Sequence, residues 1–182
     1  MIKTKQDLLR YREAEKKIYL SDSKKGHLKQ IATGDPSLQI FRFLKIVRKE
    51  EYHHNNGGLF HKLSYLRYHR KRNKLGLKLG IELWDNSFEE GLTIAHAGNI
   101  VVNGKARIGK NCILHGSNCI GNNGKSSDCP VIGDNARLGV GARVLGGVTL
   151  GDNVTVAAGA VVVHSFEESG ITLAGVPAKR VR

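Results

Sequence analysis

The sequence predicts a mainly β fold: a solenoid of short parallel strands, preceded by a helical segment. Three observations predict it. Ile132-Gly133-Asp134-Asn135-Ala136-Arg137 is followed in phase by six-residue units opening at Leu138, Val144, Leu150 and Val156, each with a small or aliphatic residue four positions on (Ala136, Ala142, Val148, Val154, Ala160). The phase runs back through Ile120, Leu114, Ile108 and Val102. A period of six belongs neither to a helix nor to alternation along one strand; it suits flat strands joined by tight corners, each rung burying the next. Third, charge divides the chain. Residues 1–79 hold 20 Lys/Arg against 7 Asp/Glu, whereas residues 80–182 hold 9 of each, so the leading segment carries the whole net charge of +13.

Each element follows from local signals. Thr4-Lys5-Gln6-Asp7 reads as a capping box opening a helix to about Tyr19. The polar stretch 24–34 reads as a connection. Asp35-Pro36 supplies an N-cap and a proline at the first helical position. Leu38, Phe41, Leu44 and Val47 then form one apolar stripe running to about Tyr52. Residues 53–58 read as a loop and 59–74 as a third helix, rich in Lys and Arg; His53, His54, His61 and His69 are expected to be solvated. Gly76 and Gly80 mark the change of period. The expected organisation is a basic helical segment at 1–79, a solenoid at 80–164 and a tail at 165–182. The hexads slip by two between Ile100 and Val102. No aliphatic residue occupies position 126, so the segment between Ile120 and Ile132 is expected to leave the solenoid as a loop.

Composition narrows the functional classes. No apolar run has the length of a membrane span, and Met1–Lys5 leads into a polar stretch without a secretory core, so a cytoplasmic location is expected. Cys112, Cys119 and Cys129 have no paired spacing; Cys112 and Cys119 read as small rung fillers, and no metal site is expected. Gly139-Val140-Gly141 lacks the third glycine and βαβ setting of a dinucleotide fingerprint. The basic run 61–74 would suffice for salt-sensitive contacts, but no base-reading motif accompanies it. No specific nucleic-acid partner is expected; an anionic glycan or a peripherally contacted lipid-linked precursor fits the same charge.

Four segments resemble the hexapeptide-repeat acyltransferases, in their serine acetyltransferase-like branch: Gly91-Leu-Thr-Ile-Ala-His96-Ala-Gly-Asn-Ile-Val-Val, the Gly-Asn-Asn-Gly-Lys loop at 121–125, the run 132–162, and Gly175-Val-Pro-Ala-Lys179. Residues 43–52 and 80–83 also resemble the capsule and O-antigen acetyltransferases of that branch. The resemblance implies a left-handed parallel β-helix, triangular in section and assembled as a homotrimer. The left hand comes from the resemblance alone, because most parallel crossovers are right-handed. It further implies acetyl-CoA as donor, bound in a groove between neighbouring prisms.

Acetyl transfer from a thioester to an alcohol needs a base for the hydroxyl proton, stabilisation of the carbonyl oxygen and alignment of both reactants. His96 stands where the resemblance places the catalytic histidine. His115, 19 residues on, is expected one rung above as a substrate contact. Glu82 is the candidate carboxylate to orient His96, with Asp85 as fallback. The serine-specific enzymes carry an Asp before the histidine, here Ala95, and an Arg-His pair before the proline after the loop, here Asp128 and Cys129. Asp128 would repel an amino acid's carboxylate, so the expected acceptor is a hydroxyl of a sugar or glycan precursor. A serine O-acetyltransferase and a non-catalytic β-helix scaffold are the alternatives. The resemblance carries cofactor contacts onto Asn122, Val140 and Ala158, with Gly124 and Lys125 flanking the pantetheine. Lys179 and Arg180 are candidate partners for the CoA phosphates.

Overall fold

The computed structural model describes residues 1–181, in two units, Met1–Leu79 and Gly80–Arg182. The first is all helical: α1 (Lys5–Tyr19), α2 (Lys24–Thr33), α3 (Pro36–His54) and α4 (Leu59–Leu79). Thr4 and Asp7 close the expected capping box on α1, and the Asp35 carboxylate caps α3 through the Ser37 N–H at 2.9 Å. The stretch read as a connection is α2. Ser23 accepts from the Gly26 N–H at its start, and Gly34 ends it in the left-handed conformation. Because α2 buries no side chain, it lacks the apolar stripe that betrays a helix in sequence.

Phe43, Leu44 and Val47 of α3 form the helical core with Ile2, Tyr11 and Tyr19. Arg48 is fully enclosed among them. Its guanidinium meets Glu15 at 2.7 Å and Glu51 at 3.1 Å, and the Ile2 N–H donates to the other Glu51 oxygen. Burial opposes the charge on Arg48; Glu15 and Glu51 outweigh it and hold the guanidinium protonated. The helical histidines are not simply solvated. The Nδ1 atoms of His53 and His61 lie 3.0 Å apart, His53 stacks on Tyr68, His54 packs on Tyr65, and His69 meets the buried Glu50 at 2.9 Å. Two helices packed as a hairpin bring these rings together, which no local pattern announces.

The second unit is a three-sided prism wound in the order A, B, C. Strands β1 (Ile81–Glu82), β2 (Thr93–Ile94), β3 (Ile100–Val102), β4 (Arg107–Ile108), β5 (Ile113–Leu114), β6 (Cys119–Gly121), β7 (Val131–Ile132) and β8 (Arg137–Leu138) are followed by β9 (Arg143–Leu145), β10 (Thr149–Leu150), β11 (Thr155–Val156), β12 (Val161–Val162), β13 (Thr172–Gly175) and β14 (Ala178–Arg180). Face A stacks β1, β3, β6, β9 and β12; face B stacks β4, β7 and β10; face C stacks β2, β5, β8, β11 and β13. Every rung of these stacks is parallel. The aliphatic residue opening each hexad points inward: Val102, Ile108, Leu114, Ile120, Leu138, Val144 and Val156 are buried. Each such side chain contributes about 1.5–3 kcal/mol by leaving water.

The corners are held by asparagine. Asn111, Asn135 and Asn153 all have φ of 55–57° and stack in one column. Their amides link at 3.1 and 3.2 Å. Asn tolerates the left-handed region because its short polar side chain bonds locally. The solenoid does not stop at His164. After Phe166 bridges Leu150 on face B, β13 extends face C and β14 folds back antiparallel upon it, so the expected tail is a docked hairpin. Between β6 and β7 the chain leaves the prism as expected, with residues 122–128 exposed. Among the described residues no helix is long and apolar enough to cross a membrane.

Candidate active site

The strand register assembles a column at the corner between faces C and A. Ile94 pairs with Leu114, Leu114 with Leu138, and Leu138 with Val156. Two residues past each stand His96, Gly116, Val140 and Ala158. Three of the residues proposed for catalysis or cofactor contact thus share one edge of the prism. The coil from Ile94 to Leu114 is 20 residues rather than 18, so Gly116, not His115, covers His96; His115 lies over Ala95. A Cβ on Gly116 would come within 3.3 Å of the His96 Cβ, and Gly116 itself has φ of 120°. His96 is exposed and has no hydrogen-bond or ion-pair partner among the described residues.

Among the described residues Glu82 makes no hydrogen bond to His96. It lies on β1, on face A beside Val101, and its carboxylate accepts from the Trp84 indole at 3.3 Å. Asp85, the fallback, is buried in the turn after β1. The resemblance carried the acid onto the coil before His96; the strand register sets Glu82 on face A.

Glu82 instead lines a shallow cavity of about 470 Å³ on face A, together with Trp84, Asn103, Lys105, Cys119 and Asn122. Trp84 packs its ring over Gly104, where a Cβ would stand 3.2 Å from it. Cys119, read as a rung filler, is only half buried and opens into this cavity. Cys112 is the true filler; burial pushes its thiol up to about 12. Trp84, Asn103 and Lys105 were not singled out from sequence; the one visible signal was the chain's single tryptophan at a position next to an inward-facing Leu83.

The loop after β6 turns on its own side chains. Asn122 accepts from the Gly124 N–H at 3.2 Å, and Asn123 accepts from Lys125 and Ser126 at 2.9 and 3.1 Å. Gly124 has φ of 75°. Asp128 is exposed and packs against Gly147, and the Cys129 thiol donates to the Ser127 carbonyl. This loop marks the corner between faces A and B, and His96 marks the corner between C and A. One face, about six residues or on the order of 20 Å wide, separates them. In the terminal hairpin Lys179 and Arg180 are exposed, and Arg180 already pairs with Glu168.

Residues 129–164 match the family described as Bacterial transferase hexapeptide (six repeats). Over 106 residues the chain is 31% identical to the serine acetyltransferase of Synechococcus elongatus, covering 57% of this chain and 43% of that protein. The chain therefore spans less than half the length of that curated relative. Soybean serine acetyltransferase complexed with serine superposes with a TM-score of 0.77 at 20% identity, covering 97% of this chain and 70% of that one. A serine acetyltransferase in complex with CoA superposes at 0.74 and 18% identity, over 97% and 71% of the two chains. The closeness to capsule and O-antigen enzymes expected above finds no counterpart among these relatives. The chain carries the hexapeptide repeat of bacterial transferases on the left-handed β-helix fold of the serine acetyltransferases it resembles.

Proposed function

We propose that the protein is an acyltransferase that moves an acetyl group from acetyl-CoA to a hydroxyl, with His96 as general base. The observation that carries this reading is the setting of His96: exposed at the prism corner, without a protein partner, beneath a glycine that leaves its upper side clear. An imidazole nitrogen there accepts the hydroxyl proton as the alcohol oxygen attacks the thioester carbonyl. The carbon–sulfur bond then breaks, the acetyl group stays on the oxygen, and the departing thiolate takes up a proton as CoA. A positioned base contributes about 10²–10⁴-fold. Val140 and Ala158, stacked above His96, offer a ladder of backbone groups along which a pantetheine arm can lie. Exchange of His96 for alanine tests the reading: loss of thiol release from acetyl-CoA in a variant with an unchanged circular dichroism melt supports an enzyme. Unchanged turnover removes His96 from the chemistry, and absence of turnover in both proteins leaves the scaffold reading.

The relatives favour serine as the acceptor, since each is a serine acetyltransferase and one holds serine. A sugar hydroxyl is the second reading. Ala95 offers no charge to an ammonium group, and the exposed Asp128 stands where a guanidinium would hold a carboxylate. Thiol release assayed with serine and with a panel of sugars and sugar nucleotides separates the two: turnover with serine alone retires the sugar reading, and turnover with sugars alone retires the serine reading.

The site is expected to be completed by a second prism in a homotrimer. The Asn122–Lys125 loop and His96 stand on opposite edges of one face, too far apart to grip one thioester arm from a single chain. Mass determination by light scattering tests the trimer. Lys179 remains a candidate for the CoA phosphates; Arg180 would have to exchange Glu168 for them.

A further inference from the structure

We infer that the helical unit carries its own binding site for a ligand bearing a pyrophosphate or two closely spaced phosphate groups, in the cavity between α1, α3 and α4. The inference is independent of the reading of the β-helix. The cavity has a volume of about 640 Å³ and is built from Arg12 of α1, Arg42, Lys45 and Lys49 of α3, and Lys71, Lys74 and Lys78 of α4. Among the described residues no carboxylate lines it. The spacings of three and four place the cations of each helix on one flank, and the hairpin of α3 and α4 turns the two flanks toward each other.

Seven like charges line this hollow, and of the core acids Glu15 feels the charge of Arg12 while its hydrogen bonds go to Arg48. Glu15 and Glu51 are committed to Arg48, and Glu50 to Arg72 and His69, all in the interhelical core. None of the seven cations makes an ion pair among the described residues. The Nε of Arg12 is buried without a hydrogen-bond partner, as is the Oε2 of Glu15 on the same helix. Lys49 and Lys71 both lie over the Tyr68 ring, at 5.4 and 5.7 Å. That ring, with Ile46 and Leu75, gives the cavity an apolar wall beside its cationic one. Burial, and after it the charges of Arg12, Lys49 and Arg42, bring the Lys45 ammonium below its usual range; a bound anion relieves that repulsion. A planar guanidinium and several ammonium groups around one hollow fit adjacent phosphates rather than a single carboxylate.

The test is calorimetric titration of the full chain with inorganic pyrophosphate at low and at high salt. One saturable site per chain, weaker in high salt, is expected. The pair Arg42→Gln, Lys45→Gln should weaken binding by at least about tenfold. The exposed pair Lys74→Gln, Lys78→Gln gives a second reading with less risk to folding. Lys24→Gln, Lys25→Gln on α2, outside the cavity, should leave affinity unchanged. Competition by a nucleoside diphosphate identifies a soluble source, and competition by phosphatidylcholine vesicles containing phosphatidic acid identifies a headgroup. Absence of saturable binding overturns the inference. So does equal weakening by the α2 pair, or vesicle binding that neither pyrophosphate nor the cavity variants diminish.

Discussion

His96 sits directly beneath Gly116, one rung of the prism apart, with only 3.3 Å between the His96 Cβ and the place a Gly116 side chain would occupy. The 20-residue coil creates this pairing. An 18-residue coil would have set another residue over the histidine, and the slip of two between Ile100 and Val102 is what lengthens it.

Gly116→Ala is therefore expected to reduce acetyl transfer while the prism still folds. The new methyl meets His96 and must adopt φ of 120°, a region that only glycine enters freely. A misplacement of about 1 Å can remove about 10²-fold of rate, and the backbone strain should cost about 1 kcal/mol or more. Turnover measured beside a denaturant titration would show a large kinetic loss with a small stability loss; the reverse would separate Gly116 from the active site.

The asparagine column makes a different prediction. Asn135 donates to Asn153 and accepts from Asn111 while holding φ of 57°. Asn135→Ala loses both links and keeps the strained backbone, for an expected cost of about 1–3 kcal/mol. Asn135→Gly, which relieves the strain, should be less destabilising. Unfolding midpoints of the two variants check the order.

Arg48 offers the largest single effect. Arg48→Met leaves Glu15 and Glu51 buried without their cation, and such a break costs about 3–5 kcal/mol. The triple variant Glu15→Gln, Arg48→Met, Glu51→Gln should recover much of that loss. Equilibrium unfolding followed by far-ultraviolet circular dichroism distinguishes them.

The helical unit should weaken in mild acid. Burial, then the charges of His61 and Lys49, hold the His53 pKa below its usual value of about 6.5. The unfolded chain then binds the proton more readily than the folded one, so stability is present above about pH 6.5 and declines as pH falls through that value. His53→Gln should flatten the dependence. Thermal midpoints on either side of neutrality, for both proteins, test it.

Much of this was legible beforehand because hexad, cap and loop are local signals. Thr4 with Asp7, Asp35 with Pro36, and the gap at position 126 each announced its element. Helix α2 escaped because an exposed helix needs no apolar stripe, and the terminal hairpin because its partner strand is distant in sequence. The direction of the Glu82 side chain was not legible for a related reason: its carboxylate meets Trp84, a contact made by the turn after β1 and not by the repeat.

The sequence by itself determined the repeat, the inward-facing aliphatic residues and the concentration of positive charge before Gly80. Those follow from periodicity and composition, which act residue by residue. Only the tertiary structure decided that Gly116 covers His96, that Glu82 faces Trp84, and that seven cations of three helices surround one hollow. Such pairings depend on coil length and helix packing, where one or two residues more or less redirect every side chain that follows.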